Sequence, residues 1–166
     1  MIAPDSSSGR LTDVWPGDTA SEPAAVVAEL RRRAPPWLRS RIRTMTEAER
    51  RLWRYFGDRS WMGTEVFSQV PVYIPHANRG FVLGFLIPAC RAAVEVAVPR
   101  PGESIEVFAS AMEQDDLVRD AAGIATIRSL EPMVLRDPEA VALSIRWTLG
   151  LDKGGDGFFG INVPRP

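Results

Sequence analysis

The chain has 166 residues, 45% of them apolar and 25% charged, with a net charge of −1, the balance of one soluble globular domain rather than of a disordered chain. No apolar run reaches the roughly 18–20 residues of a membrane span, and Met1–Gly17 lacks the basic start and apolar stretch of a secretory signal. A single cysteine, Cys90, excludes an internal disulfide, and with a single histidine, His76, it argues against zinc-finger sites and Ser-His or Cys-His triads, so a cytoplasmic domain without a metal is the expectation.

The charge is unevenly spread: residues 1–30 sum to −4, residues 31–54 to +7, and residues 55–166 to −4. A block this basic is a candidate anion-facing surface, formed by Arg31, Arg32, Arg33, Arg39, Arg41, Arg43, Arg50 and Arg54. Its partner could be DNA, bound weakly because of the acidic flanks, or an acidic protein.

Residues 1–23, with Asp5-Ser6-Ser7-Ser8-Gly9 and Pro16-Gly17-Asp18, hold too few large apolar side chains to offset chain entropy. They read as an arm that a partner would order, with Trp15 as an anchor. A short helix follows over Ala24–Arg33, stopped by Ala34-Pro35-Pro36, and Trp37–Arg43 is a basic connector. Residues 1–43 thus form the N-terminal arm, 44–149 the globular domain and 150–166 a Gly-rich tail.

In the domain, Met45, Ala48, Leu52, Tyr55 and Phe56 recur at helical spacing, and Gly57 ends that helix. Val66–Ile74 alternates as a half-covered strand, with Pro71 placing it near an edge. After the turn Pro75–Gly80, the unbroken apolar run Phe81–Ile87 predicts a strand buried on both faces. Ala92–Val98 is a third strand, Phe108–Ala122 a helix and Ile124–Arg128 a fourth strand. Pro138–Thr148 is a last helix, with Asp137 as N-cap and Pro138 at its first position. The order α-β-β-β-α-β-α predicts an α/β sandwich, with helices on both faces of a four-stranded mixed sheet.

Glu95 stands out because it lies among Ala93, Val94, Val96 and Ala97. A carboxylate there needs an Arg partner or water, or else serves as a metal ligand or acid/base group. Glu49 has a local role open to it, the Thr46-x-x-Glu49 capping box. Asp116 falls on a solvated helical face and His76 in a surface turn, whereas Phe108, Ala111, Met112, Val118, Ala121 and Ala122 read as core.

Six segments occur in the order of a known family: Met45–Trp53, Phe67–Val72, Phe81–Phe85, Ala93–Val96, Asp116–Asp120 and Gly123–Arg128. Over residues 44–149 the chain resembles the domain related to very-short-patch-repair endonucleases, a branch of the PD-(D/E)xK nuclease superfamily. The resemblance implies a restriction-endonuclease-like fold in which an Asp before a Phe, and an Ile-Glu-Val-Asp-Gly strand followed by His, bind a divalent metal that activates water against a phosphodiester. By position Glu49, Gln69, Glu95 and Asp116 match that pattern, and Glu95, Glu49 and Asp116 are the residual catalytic positions. The chain departs from it at the decisive places: Gly84 replaces the Asp before Phe85, Ala97 and Val98 replace Asp-Gly, and no His follows. The expectation is a catalytically degenerate domain without cofactor. It would act as a binding or accessory subunit through its Arg-rich segment and its extended termini. The competing expectation is an active Mg²⁺-dependent endonuclease with relocated acids drawn from Glu103, Glu106 and Glu113.

Overall fold

The structure, a computed structural model, describes Trp15, residues 22–99, Gly102 and residues 105–151. Four helices come first: α1 (Pro23–Arg33), α2 (Pro36–Arg39), α3 (Glu47–Phe56) and α4 (Arg59–Met62). Three strands follow, β1 (Phe67–Ile74), β2 (Arg79–Ile87) and β3 (Ala92–Ala97), joined by single 3₁₀ turns at Pro75–Ala77 and Pro88–Cys90. Helix α5 (Ile105–Ala122) leads to β4 (Ala125–Leu130), and α6 (Glu131–Arg136) and α7 (Pro138–Thr148) complete the order.

The sheet runs β1-β2-β3-β4, antiparallel as far as β3, with β4 parallel to β3 after the α5 crossover. It is a mixed, open α/β sheet. Pro71 lies on edge strand β1, where a missing N–H costs the ladder least.

Neighbouring residues of a strand face opposite sides, and two cores result. Val26, Val27 and Leu30 of α1 pack with Val70, Val72, Leu86 and Ala93 of the sheet and with Val118 and Ala122 of α5. On the other side Ala48, Leu52 and Phe56 of α3 pack with Phe85, Ile87, Val94, Val134 and Ile145. Leu83 and Phe85 belong to different cores although they are two residues apart. The alternation of β2 is therefore interrupted at Gly84.

Several expectations change. Residues 23–39, assigned to the arm, belong to the packed fold, since Val27, Leu30 and Leu38 are fully buried. Helix α2 falls partly within the expected connector Trp37–Arg43, and α4 and α6 stand where the sequence predicts no element; they have four, four and six residues, too few for a helical period to be legible. Met112, expected in the core, is 52% exposed, because the stripe of α5 that carries Val118 and Ala122 toward the sheet runs through Asp115 and Ala111 instead. The side chains of Glu103, Glu106 and Phe108 lie outside the described residues, as do most of the N-terminal arm and the tail beyond Leu151.

Trp15 does anchor: its indole Nε1–H donates to the Ala122 carbonyl at 2.6 Å, its ring packs on the α1 core, and the Arg91 guanidinium lies over it.

Candidate functional site

Strands β2 and β3 pair only over Phe85–Ile87 with Ala92–Val94, although β2 begins at Arg79 and β3 continues to Ala97. Beyond that short ladder they part, leaving a fork whose floor is Gly84 and Glu95. A backbone N–H at such a fork has lost its neighbouring carbonyl and needs another acceptor. Glu95 supplies it, Oε1 accepting the Gly84 N–H at 2.9 Å.

From the side of β1, Gln69 stands across from Gly84, between the pairs Ser68–Phe85 and Val70–Leu83. Its φ of +51° is a left-handed conformation that is unusual for a residue with a side chain, and the Gln69 amide is nearly buried. Its Oε1 accepts the backbone N–H of Arg43 at 3.5 Å.

From the other side α3 delivers Glu49. The capping box forms: Glu49 N–H donates to Thr46 Oγ1 at 3.2 Å, and Thr46 N–H donates to Glu49 Oε2 at 2.7 Å. Glu49 is only 2% exposed, and the same carboxylate receives both Nη groups of Arg43, at 2.7 and 2.9 Å. This two-pronged geometry is the strong form of the guanidinium–carboxylate bond. Burial opposes ionisation of Glu49, but the Arg43 and Thr46 donors outweigh it and hold its carboxyl below the usual range.

The two carboxylates converge on Gly84. A Cβ added there would lie 3.1 Å from the Val94 carbonyl, 3.3 Å from Glu95 Oε2 and 3.5 Å from Glu49 Oε1. A side chain at position 84 would thus point between both acids. Glu95 is densely surrounded by protein though part of its surface reaches solvent; burial pushes its carboxyl up to about 7. The Gly84 N–H and Arg128 pull it down, while Glu49 and Asp115 push it further up.

Arg128 stands beside Glu95 in the β3–β4 register. Its guanidinium is turned to Asp115 of α5, Nε and Nη2 donating to the two carboxylate oxygens at 2.7 Å each. Asp115, not Asp116, is the acid that α5 brings near the fork. Asp116 is exposed one position out of the sheet-facing stripe and pairs with Arg119 at 2.8 Å. The signal that picks Asp115 is its spacing from Val118 and Ala122, three and seven residues on. Glu113 is exposed and lies 3.6 Å from Arg79, and His76 sits exposed in its turn.

This donor set does not fit a hard divalent cation. Both Glu49 oxygens already face a fixed positive charge, Glu95 is half protonated near neutrality, and Gly84 supplies no ligand. Among the described residues no group of three or more His, Cys, Asp or Glu is arranged to hold a metal. Glu49 and Glu95 meet at Gly84, and arginines occupy Glu49 and the neighbouring Asp115.

The basic block is also largely spoken for. Arg32 and Arg33 pair with Glu29, Arg50 and Arg51 with Glu47, and Arg43 with Glu49. Arg41 lies over the exposed Trp37 ring, 5.1 Å from its centroid. Arg31, Arg39 and Arg54 stand exposed.

No family model, curated protein or solved structure matches this chain.

Proposed function

We propose that this chain is a catalytically degenerate, restriction-endonuclease-like domain that serves as a binding or accessory subunit. One observation carries the reading: the guanidinium of Arg43 closes on Glu49 beside a position, Gly84, whose missing side chain would have pointed between Glu49 and Glu95. An internal cation thus replaces an exchangeable one. The order of helices and strands, with two acids at the fork of the central strands, supports the nuclease-like ancestry. A protein partner is favoured over nucleic acid, because five arginines of the basic block already engage Glu29, Glu47 and Glu49 within the fold, which offsets three of their charges and ties up their guanidinium groups.

The competing reading, an active endonuclease with relocated acids, has Asp115 as its best new member. It would require cations to displace both Arg43 and Arg128 from their carboxylates.

Calorimetric titration with Mg²⁺ and Mn²⁺, run beside a supercoiled-plasmid nicking assay, separates the two. No saturable metal heat and no nicking are expected. Nicking that disappears in Glu95→Gln would overturn the proposal. DNA affinity with a steep salt slope, flattened by about 2.7 in Arg31→Gln/Arg39→Gln/Arg54→Gln at roughly 0.9 per lost phosphate contact, would make the partner nucleic acid.

A further inference from the structure

A second surface adjoins the fork on the same side of the sheet. Phe81 and Leu83 turn to the α1 core, so Gly80, like Gly84, turns to the opposite face. There helix α2 lies across the hairpin of β1 and β2. A Cβ at Gly80 would come within 2.7 Å of Leu38 Cδ2 and 2.9 Å of Trp37 Cη2, so a bare backbone at position 80 is what lets α2 settle on the strands. Leu38 is fully buried, whereas Trp37 remains 43% exposed. The Trp37 ring meets Tyr73, the partner of Gly80 across the hairpin, edge-on with 6.1 Å between centroids. Tyr73 is held in turn, its Oη–H donating to Asn78 Oδ1 at 3.1 Å.

The chain leaves α2 in a continued turn, with Arg41 N–H donating to Leu38 O and Ile42 N–H to Arg39 O. Ser40 Oγ–H donates to Trp37 O at 2.8 Å and tightens that turn. Trp37 and Arg41 thus stand one turn apart, and the Arg41 guanidinium lies over the indole, 5.1 Å from its centroid. Arg39 is exposed beside them, and Ile42 is 41% exposed. A braced turn therefore presents an indole, an isoleucine and two guanidinium groups.

Charge decides what suits this surface. Residues 37–46 hold three arginines and no acid. Glu49 takes Arg43, but among the described residues neither Arg39 nor Arg41 pairs with a carboxylate. The fold leaves these two cations of the basic block uncompensated, and it sets them around a half-exposed indole. Tryptophan and arginine on a rigid support are the side chains that dominate binding energy at protein interfaces. Carboxylates match the two guanidinium groups, which can each grip one with paired N–H donors. An apolar side chain between them matches Trp37 and Ile42. Affinity for a phosphate backbone instead grows with the number of cations in contact, and two are few.

We propose that Trp37, Arg39, Arg41 and Ile42 form the docking site for an acidic segment of a partner protein. Carboxylates of that segment meet Arg39 and Arg41, and an apolar side chain between them rests on Trp37 and Ile42. The inference rests on the reading of the chain as a binding subunit and names the chemistry of its partner. Nicking activity would overturn that reading, whereas the binding assay bears on the docking site alone.

The test uses the full chain and a fluorescein-labelled synthetic peptide of alternating Glu and Asp around one central Phe, followed by fluorescence anisotropy. A peptide with Gln and Asn in place of the acids, and an oligothymidylate of equal charge, are run beside it. Saturable binding of the acidic peptide is expected, and none of the neutral one. Affinity should fall about tenfold or more in Arg39→Gln/Arg41→Gln and in Trp37→Ala. It should stay within about twofold in Arg31→Gln/Arg54→Gln, which removes the same charge from exposed positions elsewhere. Because all four arginines are exposed, the two double variants should unfold in urea as the parent does, so a loss of binding reports the surface and not the fold. The absence of saturable binding to the parent would overturn the proposal. Equal weakening in the two double variants would overturn it as well, by reducing the effect to diffuse attraction. Tighter binding of the oligothymidylate than of the peptide, weakened by Trp37→Ala, would overturn it by making nucleic acid the occupant.

Discussion

Placing a carboxylate at position 84 probes the fork most directly. In Gly84→Asp the new Cβ would touch the Val94 carbonyl at 3.1 Å and face Glu95 Oε2 at 3.3 Å and Glu49 Oε1 at 3.5 Å. The steric demand is a shift of a few tenths of an ångström. Electrostatics are the larger effect: two like charges about 4 Å apart repel by about 4 kcal/mol at an effective dielectric constant of 20. Glu95, with its carboxyl near 7, can take up a proton and relieve part of this below neutrality. The variant should therefore lose about 2–4 kcal/mol relative to the parent at pH 8 and clearly less at pH 5.5. With three acids converging, a divalent cation gains a site that the parent lacks. If it binds with a dissociation constant near 1 mM, 10 mM Mn²⁺ restores about 1.4 kcal/mol to the variant and nothing to the parent. Thermal and urea unfolding with and without Mn²⁺, at both pH values, measure this. Equal stabilisation of parent and variant by Mn²⁺, or a loss of stability independent of pH, would refute the geometry derived for the fork.

Three further outcomes are expected. Because burial raises the folded carboxyl of Glu95 from 4.5 to about 7, its contribution is full below pH 4.5 and fades as the pH rises through 7, an upper bound of about 3 kcal/mol. Glu95→Gln, which keeps an acceptor for the Gly84 N–H, should therefore gain on the parent as the pH goes from 4.5 to 8 in paired urea titrations. Arg43→Gln leaves the buried Glu49 without its counter-ion; since Arg43 is half exposed, the cost should be about 2 kcal/mol rather than that of a fully buried pair, and Glu49→Gln in the same chain should recover part of it in a double-mutant cycle. Trp15→Ala removes the indole bond to Ala122 and the packing on α1, and should lower stability by about 1–3 kcal/mol in denaturant unfolding followed by circular dichroism.

Wherever local signals are strong, the elements were legible in the sequence. The capping box at Thr46 and Glu49, the N-cap Asp137 before Pro138, and the apolar run from Phe81 are each decided by a few neighbouring residues. Glu95 was conspicuous for the same reason, a carboxylate among valines and alanines.

Tertiary structure alone decided what these residues meet. Glu49 and Glu95 are 46 positions apart in the sequence, and they converge only because β2 and β3 part after Val94 and α3 packs across the opening. Arg43 reads as one cation of a basic block, yet the fold turns it inward onto Glu49, while Glu29 and Glu47 engage four more of those arginines. The choice of Asp115 over its neighbour Asp116 depends on which stripe of α5 faces β4. Short-range pattern determines helix, strand and cap because their energies come from adjacent residues, whereas the partner of a charge is set by chain segments that only the packed sheet brings together.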